Sequence, residues 1–194
     1  MFLLYLVNAT IFLFTAVIYI LCFRRDGSWN KESGLLALRF FTTLSNLLAG
    51  FASLLILFTL RPDGLPRIVW LLKYLAAASV AVTFLTVMVF LGPAFGYRSQ
   101  LEGSCFYLHV TGPLLTVVSF CFFERFYPLH FSTALLGLLP VICYGLLYLH
   151  KVVRTAAWDD FYGFNRDGKW QRSFAAMVAG TLCVCLLLWF LSRI

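Results

Sequence analysis

Apolar runs of spanning length alternate with short polar breaks along the whole chain. The runs lie at about 2–23, 34–60, 68–95, 105–123, 131–149 and 174–192. Each has roughly the ~20 residues that cross a bilayer as a helix. The breaks carry charge and turn formers: "RRDGSWNKES", "RPDGLPR", "GYRSQLEGS", "ERFYPLH" and the long "HKVVRTAAWDDFYGFNRDGKWQRS". Strand-like alternation, internal repeats and low-complexity tracts do not stand out. A backbone in hydrocarbon must satisfy its own polar groups, so the runs predict helices. The pattern predicts an all-α polytopic membrane protein, a single six-transmembrane-helix bundle over 1–194. The first run has no basic segment ahead of it and exceeds a signal-peptide core in length, so it reads as a permanent span.

Composition agrees with the pattern. The chain is 62% hydrophobic and 12% charged, with a mean hydropathy of +0.90; a soluble domain has about 25% charged residues. The net charge of +7 does not point to nucleic acid, because the basic residues sit mainly in the connections. Their distribution sets an expected orientation. One side holds four (Arg61, Arg67, Arg125, Arg193) and the other nine (Arg24, Arg25, Lys31, Arg98, Lys151, Arg154, Arg166, Lys169, Arg172), with Arg39 and Lys73 left out as lying within spans. The richer side is expected in the cytoplasm, with both termini outside.

One stretch of the second run breaks the apolar pattern. In "LRFFTTLSNLLAG" the residues Arg39, Thr42, Thr43 and Asn46 follow i, i+3, i+4, i+7, and Gly50 and Ser53 continue the same face. Ser45 lies off it. Such a face must look into protein or a wet cavity. Taken singly, each threonine reads as a residue bonding back to the carbonyl four before it. Arg39 reads as either a snorkelling side chain or a member of the polar face. The fourth run supplies a partner with the same spacing: His109, Gly112, Pro113 and Thr116. Pro113 has no N–H, so the spacing predicts that the His109 carbonyl loses its helical partner and that the helix kinks there. Both helices begin on the same side of the membrane. Contact between the hydroxyls and the imidazole is therefore open.

A hydroxyl and an imidazole on facing helices are the minimum for nucleophilic acyl transfer, with a cation or amide to hold the oxyanion. Arg39 and Asn46 are the right types. No carboxylate within these spans orients the histidine: Glu124 is at the far end of the fourth run, and Asp159 and Asp160, in the fifth connection on the same side as the stripe, read as a solvated loop or as residues that fold back toward it. Six cysteines (22, 105, 121, 143, 183, 185) show no metal-site spacing and read as small buried side chains.

"RFFTTLSN" on the second helix followed by "HVTGP" on a later one resembles the androgen-induced/androgen-dependent family of membrane threonine hydrolases and their bacterial relatives. The animal members hydrolyse fatty acid esters of hydroxy fatty acids. The resemblance implies Thr42 as nucleophile and His109 as base, with Arg39, Thr43 and Asn46 toward substrate or oxyanion. It implies a lipid-ester substrate met among membrane lipids, no metal or cofactor, and a bacterial cytoplasmic membrane as the location. The chain departs from the family pattern in its second hydroxyl at Thr43, a shorter Thr-to-His separation, and "WDDFYGFN" in the fifth connection. There Trp158, Tyr162 and Phe164 suit an interfacial lid or anchor. The 21 phenylalanines suit an acyl chain, or ordinary packing. Other classes fit parts of the pattern: a small transporter or channel lined by the polar face, a haem protein using His109 and His150, and a non-catalytic lipid-binding or structural protein.

Overall fold

The computed structural model describes residues 1–25 and 27–193, with the side chain of Arg25 excepted. Six helices are long and apolar enough to cross a membrane: Phe2–Cys22, Phe41–Thr59, Arg67–Phe95, Ser104–Phe123, Phe131–Arg154 and Trp170–Leu191, numbered here as spans one to six. The chain is a multi-pass membrane protein of all-α class. Among the described residues, strand is confined to a two-by-two-residue hairpin, Arg24–Arg25 with Ser28–Trp29, in the first connection. Residues gather into two compact units, Met1–Pro128 with spans one to four and Leu129–Ile194 with spans five and six.

Five spans start or end within a few residues of the apolar runs. The second does not. Its run breaks into a short helix, Lys31–Ala37, and the span itself, Phe41–Thr59. The Asn30 side chain caps the short helix, its Oδ1 accepting from the Ser33 N–H at 3.0 Å, and Glu32 favours the positive end of the same helix. The helix then closes through i→i−3 bonds from Leu38, Arg39 and Phe40, and Phe40 turns to extended backbone (φ −93°, ψ 131°) before the span begins. Arg39 is therefore not on the helix that carries Thr42. It is exposed in the turn ahead of it, and the expected continuous stripe starts at Thr42.

Spans three and four each contain a Gly-Pro pair with the same local geometry. Both are preceded by a π-turn, Val87–Leu91 before Gly92-Pro93 and Tyr107–Thr111 before Gly112-Pro113. The glycine N–H bonds five residues back, to the Val87 or the Tyr107 carbonyl. In that wider register the proline stands opposite the next carbonyl, Met88 or Leu108, with no N–H to offer. A side chain fills each vacancy: Tyr97 Oη donates to the Met88 carbonyl at 2.8 Å, and Asn46 Nδ2 to the Leu108 carbonyl at 2.9 Å. The glycine makes the room. A Cβ on Gly92 would run into the Tyr97 ring, and one on Gly112 would sit 2.7 Å from Asn46 Oδ1. The carbonyl freed by Pro113 is thus that of Leu108, where α-helical counting points to His109; the π-turn shifts the vacancy by one residue.

The first unit is held by a buried polar cluster and an apolar layer. Lys73 and Glu124 are both fully buried, with Nζ and Oε1 3.4 Å apart. Lys73 Nζ donates to Asn8 Oδ1 and to Ser53 Oγ, both at 2.8 Å. Glu124 Oε1 accepts from Asn8 Nδ2 at 2.9 Å and from Ser119 Oγ at 2.5 Å, and the Glu124 carbonyl accepts from Trp70 Nε1 at 2.9 Å. Four spans contribute. The apolar layer is Ile11, Ala49, Ala52, Ala76 and Val80. Spans one and two approach closely at Gly50, where a Cβ would lie 2.9 Å from Thr15 Cγ2.

Removing one member of a buried ion pair leaves an uncompensated charge, whereas replacing both removes the problem. Lys73→Met is expected to destabilise the first unit by about 3–5 kcal/mol. Lys73→Met/Glu124→Leu is expected to recover much of that. Denaturant unfolding in detergent, followed by tryptophan fluorescence, checks this. A single variant as stable as wild type would show that the pair carries no such energy.

Candidate functional site

Thr42 and Thr43 lie in the first turn of span two. Thr43 is buried and Thr42 half-buried. Among the described residues neither hydroxyl makes a hydrogen bond, which departs from the back-bonding expected of each. The reason is position. Thr10, Thr59, Thr116 and Thr181 all donate to the carbonyl four residues before them. For Thr42 and Thr43 the fourth residue back is Leu38 or Arg39, in the turn outside the helix. The helix break leaves both hydroxyls uncommitted.

His109 is buried in the π-turn of span four, 8% exposed. Its Nδ1 lies 2.6 Å from the carbonyl of Gln100. A carbonyl only accepts, so Nδ1 carries a hydrogen, and in the neutral ring Nε2 keeps its lone pair. The orienting role that carboxylates often fill is taken here by a backbone carbonyl from the connection preceding the same span. Asp160 has another task. It accepts from Tyr148 Oη and from the Phe164 and Asn165 N–H groups, each at 2.8 Å. It thereby folds the fifth connection onto the end of span five, with Trp158, Phe161, Tyr162 and Phe164 packed round the Tyr148 ring.

Asn46 joins the two helices. Its Nδ2 donates to the Thr42 carbonyl at 2.8 Å and to the Leu108 carbonyl at 2.9 Å. A carboxamide has two hydrogens, and both are used. Asn46 therefore has none left for an oxyanion, the role expected from its type. Ser45, off the stripe, also matters: its Oγ donates to the Thr42 carbonyl at 3.1 Å and lies 2.9 Å from Thr83 Oγ1 on span three. A void of about 10 Å³, near the minimum for one water, opens between spans one, two and four. Thr43, Asn46, Leu108 and Thr15 are among its lining residues; Thr42 and His109 are not. The structure thus brings Asn46 directly to the His109-bearing turn and Thr43 to the void beside it, and it leaves Arg39 exposed.

The Lys73–Glu124 cluster was missed from sequence, where Lys73 was left out of the charge count and Glu124 was set aside as distant. An intramembrane lysine, an acid on another span and Asn8 on a third were the available signal. The cluster also places polar groups deeper along the spans than the Thr42–Asn46 turn. On spans one, two and three the polar positions come in two tiers, Asn8 and Thr15, Ser53 and Asn46, Lys73 and Thr83. Between them lie Ile11, Ala49 with Ala52, and Ala76 with Val80, together with Ser79, whose hydroxyl donates back to the Leu75 carbonyl. The cysteine reading also changes, since only Cys121 and Cys185 are buried and Cys143 and Cys183 are exposed.

Comparison with protein-family models, curated proteins and solved structures finds no match to this chain.

The Gln100 contact makes a spectroscopic prediction. In ¹⁵N-histidine-labelled protein at neutral pH, the signal lost in His109→Gln is expected to be an imidazole protonated on Nδ1 and bare on Nε2. An Nε2-protonated tautomer would contradict the geometry.

Proposed function

We propose that the chain is a membrane-embedded lipid-ester hydrolase, with Thr42 as nucleophile, His109 as general base and fatty acid esters of hydroxy fatty acids as a substrate class to test first. The observation that carries the reading is the state of His109: a buried imidazole, oriented through Nδ1, with Nε2 available as a base, one helix away from two hydroxyls that no carbonyl holds.

In the proposed reaction Nε2 takes the proton of Thr42 Oγ1 as the oxygen bonds to the ester carbonyl carbon. The oxyanion forms at the positive end of span two, near Arg39, where helix dipole and guanidinium both favour negative charge. As the tetrahedral centre collapses, the ester C–O bond breaks and the imidazolium gives its proton to the departing alkoxide. Water, deprotonated by the same nitrogen, then attacks the acyl-threonine. The fatty acid leaves and Thr42 recovers its proton. The substrate enters from the leaflet that the basic connections assign to the cytoplasm, and the aromatic fifth connection rests at that interface.

Turnover of a fluorogenic lipid ester by purified variants tests the reading, with melting temperature as the folding control. Thr42→Ala is expected to fall to the uncatalysed rate and Thr43→Ala to keep a partial rate. His109→Gln is expected to lose about 10²–10⁴-fold. Arg39→Lys loses activity if the planar guanidinium binds carboxylate or oxyanion, and keeps it if the side chain only reaches for water. A folded, fully active Thr42→Ala protein would refute the assigned nucleophile. Impermeant thiol reagents should label single cysteines in the first, third and fifth connections only after the cell is opened. Labelling from outside would move the site to the other leaflet.

A further inference from the structure

We infer that Asn46 is a positioning residue: one carboxamide ties the turn that carries Thr42 to the turn that carries His109, and so sets the proposed nucleophile against the proposed base. This rests on the hydrolase reading above.

Three observations carry it. The two hydrogens of Nδ2 are divided between the helices, one to the Thr42 carbonyl at 2.8 Å and one to the Leu108 carbonyl at 2.9 Å. The second acceptor exists only because Pro113 has no N–H to meet it in the π register. The remaining polar atom, Oδ1, faces Gly112, where any side chain would displace it, since a Cβ there would come within 2.7 Å. Every polar atom of the amide is thus either bonded or seated at the junction, at 2% exposure.

The other Gly-Pro pair shows what this geometry needs for stability alone. There the vacant Met88 carbonyl takes its donor from Tyr97, nine residues on in the same stretch of chain. Pro113 is served instead by a donor 62 residues away on another span. A local donor would satisfy the carbonyl equally well; only a distant one also fixes the two helices. Leu108 and His109 are adjacent, and Thr42 is the residue to which the same amide returns. A shift of either turn therefore changes the separation of Oγ1 and Nε2 directly, and a misplacement of about 1 Å can cost on the order of 10²-fold in rate.

The test separates holding the fold from holding the site. Asn46→Ala leaves the Leu108 carbonyl buried without a donor, so the melting temperature should fall and kcat should drop on the order of 10²-fold, with KM nearly unchanged. Adding Pro113→Ala supplies a backbone N–H to the vacated carbonyl. The melting temperature of Asn46→Ala/Pro113→Ala should therefore return toward wild type. Its kcat should not, and amide exchange over residues 40–46 should stay faster than in wild type. Thr59→Val, which removes a back-bond to the Leu55 carbonyl at the far end of span two, should leave turnover unchanged. Return of kcat together with stability in the double variant would overturn the proposal, as would wild-type exchange protection there or an equal loss in Thr59→Val. A wild-type protein with no esterase activity would instead refute the hydrolase reading, and the exchange measurement would still decide whether Asn46 ties the two turns.

Discussion

A carbonyl deprived of its N–H inside a membrane helix has no water to turn to, and the cost of leaving it bare is several kcal/mol. Much of the first unit follows from that constraint. Two prolines vacate two carbonyls, and each is answered by a side chain admitted through the glycine just before the proline. The π-turn is part of the same solution. It opens the register by one residue, so the carbonyl to be satisfied lies where a neighbouring side chain can meet it. At Pro113 the answer comes from another span, and the backbone defect becomes a tertiary contact.

The buried ion pair obeys the same rule at higher energy. Lys73 has three acceptors for its three hydrogens, while Glu124 concentrates its donors on Oε1 and leaves Oε2 buried without one. The cluster lies about 10 Å along span two from Asn46, seven residues at about 1.5 Å each, with the small-residue layer of Ala49 and Ala52 between. One helix face thus serves two separate purposes. Its first turn presents hydroxyls beside the histidine-bearing span; its Ser53 helps to neutralise a lysine in the core. The layer between them needs small residues because three helices meet there at close range.

How much of this was legible in the sequence depends on whether the governing signal was local. Length and hydropathy sufficed for six spanning helices, since the bilayer imposes both. The stripe from Thr42 to Ser53 was visible as spacing, but Arg39 was assigned to it wrongly. The apolar run continues through Leu38–Phe41, and the stop is made by chain geometry at Phe40 together with a cap at Asn30 that "WNKES" does signal. The Leu108 vacancy was off by one because α-helical counting cannot anticipate a π-turn. The bonds that define the site from His109 Nδ1 and from Asn46 end on backbone carbonyls, which every residue carries and no residue type announces. Glu124 and Lys73 were individually plain; that they meet is a fact of packing, not of spacing.

The functional account rests on one relation, a threonine hydroxyl activated by an imidazole whose other nitrogen is held in place. Covalent labelling of the purified protein in lipid with a fluorophosphonate, followed by mass spectrometry of the modified peptide, tests it most directly. The account predicts one adduct, on Thr42, that disappears in His109→Gln while the protein stays folded. An adduct indifferent to His109, or an unmodified protein, would contradict it.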